Sequence, residues 1–179
     1  HHYAGFTILW VSPDGFQQWN AQWLPAYTPL GPVVADFDKD GYLDLFCPAY
    51  LGDITRENLP MNLYWGSANG FDPDNKTVLI GDSGTDGLAA DFDQDGMLDL
   101  AVASHTVDGY HSKALTKVYY NDGKRFTSDH LHIQHLPSPG CHWMWNADMG
   151  NIYSRKWEQT YTSAVFTWDQ KRSGGSIAY

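Results

Sequence analysis

Short apolar segments alternate with turn-forming residues along the chain, and no stretch shows a convincing helical period. Segments such as 43–49 and 98–104 are apolar and bounded by Asp, Gly and Pro residues, which is the pattern of short β-strands. We predict strands at 6–11, 33–36, 43–49, 62–65, 77–80, 88–91, 98–104, 117–120, 130–134, 143–147 and 160–168. The pattern therefore predicts an all-β protein.

The strand pattern repeats with a period of 55 residues. Segment 36–45 reads DFDKDGYLDL, and segment 91–100 reads DFDQDGMLDL. Aromatic turns recur at the same distance: Trp10 and Phe16 are followed by Trp65 and Phe71, and then by Tyr120 and Phe126. A repeat of this length indicates a fold built from copies of one structural unit.

These repeats resemble the FG-GAP repeats of integrin α-subunit propellers, and the resemblance implies that each unit is a β-propeller-type blade, a four-stranded antiparallel sheet. We assign one blade with an acidic loop to residues 33–81 and a second to 88–136. Residues 1–30 fit the outer strands of an incomplete blade, and residues 143–179 fit a degenerate or partial blade. About three blade-equivalents are too few for a closed propeller. We therefore expect the chain to belong to a larger propeller or to self-associate, because an open stack leaves its terminal faces uncovered.

Each full copy contains an acidic loop whose spacing suits a hard cation. Carboxylates occupy loop positions 1, 3, 5 and 9, and a glycine occupies position 6. Four aspartates this close repel one another, and a divalent ion converts the repulsion into attraction. A flexible set of oxygen ligands favours Ca²⁺ over Mg²⁺ and over zinc or copper. The predicted ligands of the two ions are Asp36, Asp38, Asp40 and Asp44 with the backbone carbonyl of Tyr42, and Asp91, Asp93, Asp95 and Asp99 with that of Met97.

An EF-hand does not fit these loops. Its twelfth position holds a bidentate Glu, whereas Cys47 and Val102 stand there in this chain, and the flanking segments have the pattern of strands. Acidic surface turns are the alternative interpretation, since Asp-Gly is a common hairpin signal. Two copies with the same carboxylate spacing favour calcium. A third copy at 147–151 keeps one carboxylate where four are expected.

The segments 32–46 and 87–102, together with the aromatic turns 63–71 and 118–126, resemble the FG-GAP repeats of integrin α-subunit propellers and the related VCBS repeats of bacterial secreted proteins. The resemblance covers about residues 6–136. It implies that each repeat is one blade, with calcium between its first and second strands. It also implies ligand binding on the opposite face, and adhesion more often than catalysis.

Composition narrows the function classes. The chain has 179 residues, 42% hydrophobic and 15% aromatic, which is enough to bury a core. A net charge of −10 without a basic stripe argues against nucleic-acid binding, and no apolar run approaches the length of a membrane span.

The two cysteines, Cys47 and Cys141, allow one disulfide, although two buried thiols are preferred. Low-affinity calcium sites indicate an extracellular, secreted or cell-surface location.

Variable loops on the edge opposite the acidic loops are the predicted working surface. They are residues 50–61, 81–87, 104–116 and 136–142. Candidate ligand-binding residues there and just beyond are Asp53, Arg56, His105, Asp108, Tyr110, His111 and Trp143. A second candidate is a histidine group formed by His130, His132, His135 and His142. We interpret that group as a solvated strand face rather than a transition-metal site, because no Cys or carboxylate completes a ligand set.

These features favour a non-catalytic calcium-binding module that serves adhesion, ligand binding or assembly, with a protein or glycan as its ligand. The alternative is a carbohydrate-binding propeller, or the accessory module of a polysaccharide-active enzyme, because aromatic residues beside polar groups hold sugars. An enzyme is disfavoured, since the chain has no nucleophile elbow, zinc-protease motif or phosphate loop.

Overall fold

The computed structural model of the protein describes residues 3–52, 55–144, 165–166 and 177–178. These residues form β-strands and one short 3₁₀ helix, His111–Lys113, with no α-helix among them. The strands are β1 Tyr3–Ser12, β2 Gly15–Tyr27, β3 Val33–Ala35, β4 Asp44–Cys47, β5 Leu59–Tyr64, β6 Lys76–Gly81, β7 Gly84–Ala90, β8 Asp99–Ser104, β9 Thr116–Tyr119, β10 Ile133–Leu136, β11 Val165–Phe166 and β12 Ile177–Ala178. The predicted all-β fold is confirmed.

Two four-stranded antiparallel sheets, in each of which neighbouring strands follow one another along the chain, form the centre of the fold. Strands β3 to β6 form the first sheet and β7 to β10 the second. The repeat extends to the register, because Ala35 pairs with Asp44 and Ala90 pairs with Asp99. The last strand pair departs from the repeat. Tyr119 pairs with Ile133, which lies two positions beyond the equivalent of Lys76, the partner of Tyr64.

The sheets stack face to face around the main core. Side chains of the first sheet, among them Phe46 and Leu63, pack with Leu100 and Val102 of the second sheet. Gly87 permits this close approach, since a Cβ there would lie 2.4 Å from a methyl group of Val33. The predicted strand pattern therefore produces adjacent layers that share one core.

The outer faces of the two sheets are covered by different segments. The β1–β2 hairpin places Leu24 and Ala26 against Leu45 and Tyr64 on the outer face of the first sheet. The amide of Asn62 donates to the Pro25 carbonyl (3.0 Å) and fixes this contact. On the second sheet, Cys141 and Met144 cover Ala101, Ala103 and Val118. The layers thus follow one another in chain order.

Several predicted boundaries differ from the structure. The strand list omitted β2, whose exposed Trp19 and internal Pro25 obscure the usual alternation of a half-buried strand. The predicted strand at 130–134 is wrong at its start, because β10 begins at Ile133. Trp143 and Met144 lie outside the strands, and the rest of the predicted strand 143–147 lies outside the described residues. Of the predicted strand 160–168, the structure describes Val165–Phe166, which pairs with Ile177–Ala178.

The two cysteines, Cys47 and Cys141, are buried in separate parts of the core. Burial raises the pKa of the Cys47 thiol well above its usual range, so that it stays protonated. Among the described residues, no helix has the length and apolar character needed to cross a membrane.

Candidate metal-binding sites

The first acidic loop joins β3 to β4 in a conformation that turns its carboxylates inward. Lys39 and Gly41 have φ of 60° and 91°, in the left-handed region that favours glycine. The Gly41 N–H donates to Asp36 Oδ2 (3.1 Å), and the Tyr42 N–H donates to Asp40 Oδ1 (2.8 Å). The loop is therefore ordered by hydrogen bonds between its own backbone and its acidic side chains.

The second acidic loop, between β7 and β8, has the same conformation. Gln94 and Gly96 have φ of 63° and 94°. The Gly96 N–H donates to Asp91 Oδ2 (3.0 Å), and the Met97 N–H donates to an oxygen of Asp95 (2.7 Å). The repeat in the sequence is thus also a repeat of backbone angles and hydrogen bonds.

Three carboxylates in each loop approach one another closely. In each group, one oxygen per residue lies within 4.8 Å of the others, and the groups are Asp36, Asp38 and Asp40, and Asp91, Asp93 and Asp99. Asp91 Oδ1 is buried and has no hydrogen-bond partner among the described residues. An acceptor in that position lacks both water and a donor, which is costly unless a cation lies beside it.

The aspartate at loop position 9 also serves as a buried brace. Asp44 is fully buried; its Oδ2 accepts from the Phe37 N–H (2.8 Å) and its Oδ1 from the Gly66 N–H (2.8 Å). Asp99, equally buried, accepts from the N–H groups of Phe92 (2.8 Å) and Asn121 (2.9 Å). Each carboxylate therefore ties its acidic loop to the turn that follows the third strand of the same sheet.

Burial raises the pKa of Asp44 and of Asp99 to about 6. The backbone hydrogen bonds lower each pKa and so oppose this shift, while the negative charges of Asp38 and Asp40, or of Asp93 and Asp95, raise it further. Burial of these two carboxylates, followed by the neighbouring like charges, thus disfavours their ionisation. A bound divalent cation would reverse that electrostatic balance.

The two loops differ in their neighbouring cations. Arg125, from the turn after β9, lies 2.5 Å from Asp38 Oδ2 and 4.0 Å from Asp40, with its guanidinium 4.7 Å from the centre of the Trp65 ring. No ion pair within the described part of the chain involves a carboxylate of the second loop. The first loop is therefore partly neutralised by arginine, and the second is not.

Asn121 contacts both loops. Its side-chain amide donates to the Phe37 carbonyl (2.8 Å) in the first loop and to the Leu98 carbonyl (3.1 Å) in the second. Its backbone N–H donates to Asp99. The two loops consequently lie at the same edge of the stacked sheets.

Three histidines meet at the opposite edge, since His105 follows the end of β8 that is remote from the acidic loop. The rings of His105 and His142 have centroids 4.0 Å apart, and those of His105 and His111 have centroids 4.3 Å apart. One ring nitrogen of each lies within 4.8 Å of the others. From Asp99 of the second acidic loop to His105 the chain advances six residues along β8, which corresponds to roughly 20 Å.

Besides the two other histidines, His105 has the polar neighbours Tyr50 and Arg56, which lie in the segment between β4 and β5 of the first sheet. The Tyr50 hydroxyl lies 3.3 Å from His105 Nδ1, and Arg56 donates to that hydroxyl (2.5 Å). Burial, the other two imidazoles of the cluster and Arg56 lower the pKa of His105 to about 4. His105 is therefore a neutral imidazole at pH 7, which is the form that ligates metals.

The predicted ligand-binding residues are only partly brought together. Arg56, His105 and His111 lie in one neighbourhood. Asp108 is held by Lys113 (2.8 Å) and by its own N–H, which donates to Glu57 (2.6 Å). The exposed side chains Tyr110 and Trp143 have 60% and 57% of their surface accessible. Asp53 lies outside the described residues.

The predicted grouping of His142 with His130, His132 and His135 is wrong, because His142 lies with His105 and His111. His130 and His132 precede β10 and line a shallow pocket beside Asp93 and Asp95. The prediction treated sequence neighbours as one strand face, whereas the turn after β10 carries His142 away. The sequence did contain one signal for the location of His105. Tyr50 and His105 occupy equivalent positions in successive 55-residue repeats, and their side chains are in contact.

Comparison of the chain with protein-family models, with curated proteins and with solved structures finds no match. Function is therefore inferred from the acidic loops, the histidine cluster and the surfaces around them.

Proposed function

We propose that the protein is an extracellular calcium-binding β-propeller repeat module that serves ligand binding, adhesion or assembly without catalysis. In this proposal, one Ca²⁺ binds each acidic loop and stiffens the sheet that the loop belongs to. The opposite edge, with its variable loops, is left to contact a protein or glycan ligand. The FG-GAP and VCBS resemblance supports the same division of roles.

The buried, unpartnered oxygen of Asp91 is the observation that carries the calcium proposal. It lies in a loop where the oxygens of Asp91, Asp93 and Asp99 approach within 4.8 Å. Hydrogen bonds within the loop satisfy Asp91 Oδ2 but not Oδ1. A cation between these carboxylates supplies the missing partner and offsets their mutual repulsion.

Calcium suits the donor set better than other ions. The ligands are carboxylate oxygens with a backbone carbonyl expected at Tyr42 or Met97, and no Cys or His stands within either acidic loop. Hard oxygen ligands disfavour zinc and copper. Mg²⁺ keeps several waters and demands near-octahedral geometry, whereas Ca²⁺ accepts six to eight oxygens in a flexible arrangement.

Calcium titration calorimetry tests this proposal. We expect two Ca²⁺ per chain, with the tighter site in the second loop, because Arg125 already neutralises part of the first. Asp93→Asn should abolish the tighter site, and Asp38→Asn the weaker one, since each variant removes a ligand charge. Asp129→Asn, which changes an exposed carboxylate outside both loops, is the matched control.

The control should bind two ions as the parent does. Parent protein that binds no calcium at millimolar concentration would overturn the proposal. Equal losses in Asp129→Asn and Asp93→Asn would show that overall charge, rather than the loops, attracts the ion.

The exposed apolar side chains of the β1–β2 hairpin support the assembly part of the proposal. Val11, Phe16 and Trp19 have 67%, 70% and 83% of their surface accessible. Val11 and Phe16 are paired across the hairpin, and an exposed apolar patch of this kind marks an interaction surface. We propose that a further blade of a larger propeller, or another copy of the chain, covers them.

Carbohydrate binding is the second candidate, and the exposure of Tyr110 and Trp143 beside polar loops favours it. Aromatic rings with one open face are suited to sugar rings.

We expect the calcium-loaded protein to bind at least one class of glycan on an array, with the signal lost in Trp143→Ala. Trp19→Ala, which truncates an exposed Trp on the hairpin, is the control. An array without signal from folded protein would leave a protein ligand as the remaining candidate.

A further inference from the structure

The histidine cluster lies about one strand length from the acidic loops and has no role in calcium binding. Its three imidazoles each offer a ring nitrogen within 4.8 Å of the other two. We propose that His105, His111 and His142 bind one divalent transition-metal ion of the zinc class. Imidazole nitrogen suits zinc and its neighbours, whereas the carboxylates of the acidic loops suit calcium. The two kinds of site therefore select different ions.

The spacing of the rings is close to that of a metal centre. In a tetrahedral zinc site the metal–nitrogen bonds are about 2.0–2.1 Å, which places the nitrogens roughly 3.3 Å apart. One ring nitrogen of each histidine already lies within 4.8 Å of the other two. Side-chain rotations that bring these nitrogens up to about 1.5 Å closer would form the site.

Hydrogen bonds at the second ring nitrogens orient two of the ligands. His111 Nδ1 lies 3.0 Å from the His105 carbonyl, and an Nδ1–H donated there leaves the lone pair on Nε2. His105 Nδ1 lies 3.3 Å from the Tyr50 hydroxyl. The hydroxyl oxygen can accept from this nitrogen and from Arg56 together, which again leaves Nε2 of His105 for an ion.

The segment that carries His142 is held against the second sheet by bonds that do not involve the histidines. The Thr85 hydroxyl donates to the Cys141 carbonyl (3.1 Å), and the Met144 N–H donates to Asp86 Oδ2 (2.8 Å). Just before it, the Gly140 N–H donates to the Ala114 carbonyl (3.1 Å). The three ligands thus stand on a frame that exists without the ion, so binding requires little ordering of the chain.

Three imidazoles leave the fourth position of a tetrahedral zinc ion open. His111 is exposed, so this position faces solvent and is filled by water or by an oxygen or nitrogen donor of a bound molecule. The exposed rings of Tyr110 and Trp143 flank the cluster in sequence. The edge opposite the calcium loops thereby gains a specific anchor for a ligand with a metal-binding group.

Zinc titration of the calcium-saturated chain tests this proposal, since calcium occupies the acidic loops beforehand. His1 and His2 are first replaced by alanine in every variant, so that the terminal pair cannot bind the ion. We expect one zinc per chain, and an absorption band of tetrahedral cobalt when Co²⁺ replaces zinc. His142→Gln should weaken zinc binding by more than about tenfold, and Tyr50→Phe by roughly tenfold, because it removes an orienting partner.

His135→Gln is the matched control, because His135 is exposed on β10 outside the cluster. It should bind zinc as the parent does. Absence of zinc binding by the parent, or equal affinities of His142→Gln and His135→Gln, would overturn the proposal. The calcium-dependent melt of each variant in zinc-free buffer reports whether it folds. If His142→Gln fails to fold, His111→Gln replaces it, since the exposed His111 side chain is a ligand but not part of the core.

Discussion

The free energy of unfolding is expected to be about 5.4 kcal/mol higher in saturating calcium than in excess chelator. One site at a hundred times its dissociation constant contributes about 2.7 kcal/mol, and two sites contribute twice that. For a chain of this size, the melting temperature should rise by roughly 10–20 °C. Thermal melts in excess chelator and in millimolar calcium measure the difference. Magnesium at the same concentration should produce a much smaller shift, because it retains its water.

The double variant Asp38→Asn with Asp93→Asn is the control for this shift. It keeps the hydrogen-bonding shape of both side chains and removes one ligand charge from each loop. Calcium should then raise the melting temperature by only a few degrees. If the parent melts at the same temperature in calcium and in chelator, the loops are acidic turns and the calcium proposal fails.

Asp44→Ala and Asp99→Ala are each expected to lower the free energy of unfolding by about 2–4 kcal/mol even without calcium. Each change leaves two buried or part-buried backbone N–H groups without an acceptor, at about 1–3 kcal/mol for a buried group, and relief of like-charge repulsion offsets part of the loss. A loss of this size is a large part of the stability of an ordinary domain. Chemical denaturation in excess chelator measures the bracing role apart from ion binding.

Asp40→Ala is the comparison, because Asp40 is an exposed member of the same loop and does not hold the turn after β5. In chelator, we expect a change within about 0.5 kcal/mol for Asp40→Ala. In calcium, all three variants should lose stability, since each removes a predicted ligand. Equal denaturation midpoints for Asp44→Ala and Asp40→Ala in chelator would contradict the bracing role of Asp44.

The local features of the fold could be predicted from the sequence because they are repeated. Alternating apolar segments between 33 and 136 indicated the two central sheets, and the spacing of aspartates indicated loops with matching geometry. Bracing by Asp44 could not be predicted, because its partner Gly66 lies in a turn that approaches only when the sheet forms. The spacing of the aspartates identified Asp44 as a predicted calcium ligand. Its burial gives it a second role, because it accepts hydrogen bonds from the Phe37 and Gly66 N–H groups.

Contacts between successive sheets account for most of what the sequence did not show. Arg125 and Asp38 are distant in the chain, and their contact depends on how the second sheet stacks on the first. The same holds for His142, which the turn after β10 delivers to His105. Periodicity describes each strand pair separately, whereas these contacts depend on the offset between layers. Equivalent positions such as Tyr50 and His105 are the exception, since stacked repeats bring them together.

The bridging amide of Asn121 connects the two acidic loops, and we expect this connection to couple the two proposed ion sites. It holds the Phe37 and Leu98 carbonyls together, while the Asn121 backbone is bound to Asp99. An ion that orders one loop therefore reduces the entropy that remains to be lost when the other loop binds. Under the calcium proposal, we expect the two affinities to be linked, so that each ion strengthens the binding of the other to the same extent. If calcium binds both loops as proposed, we expect the stacked sheets to respond to it as one cooperative unit.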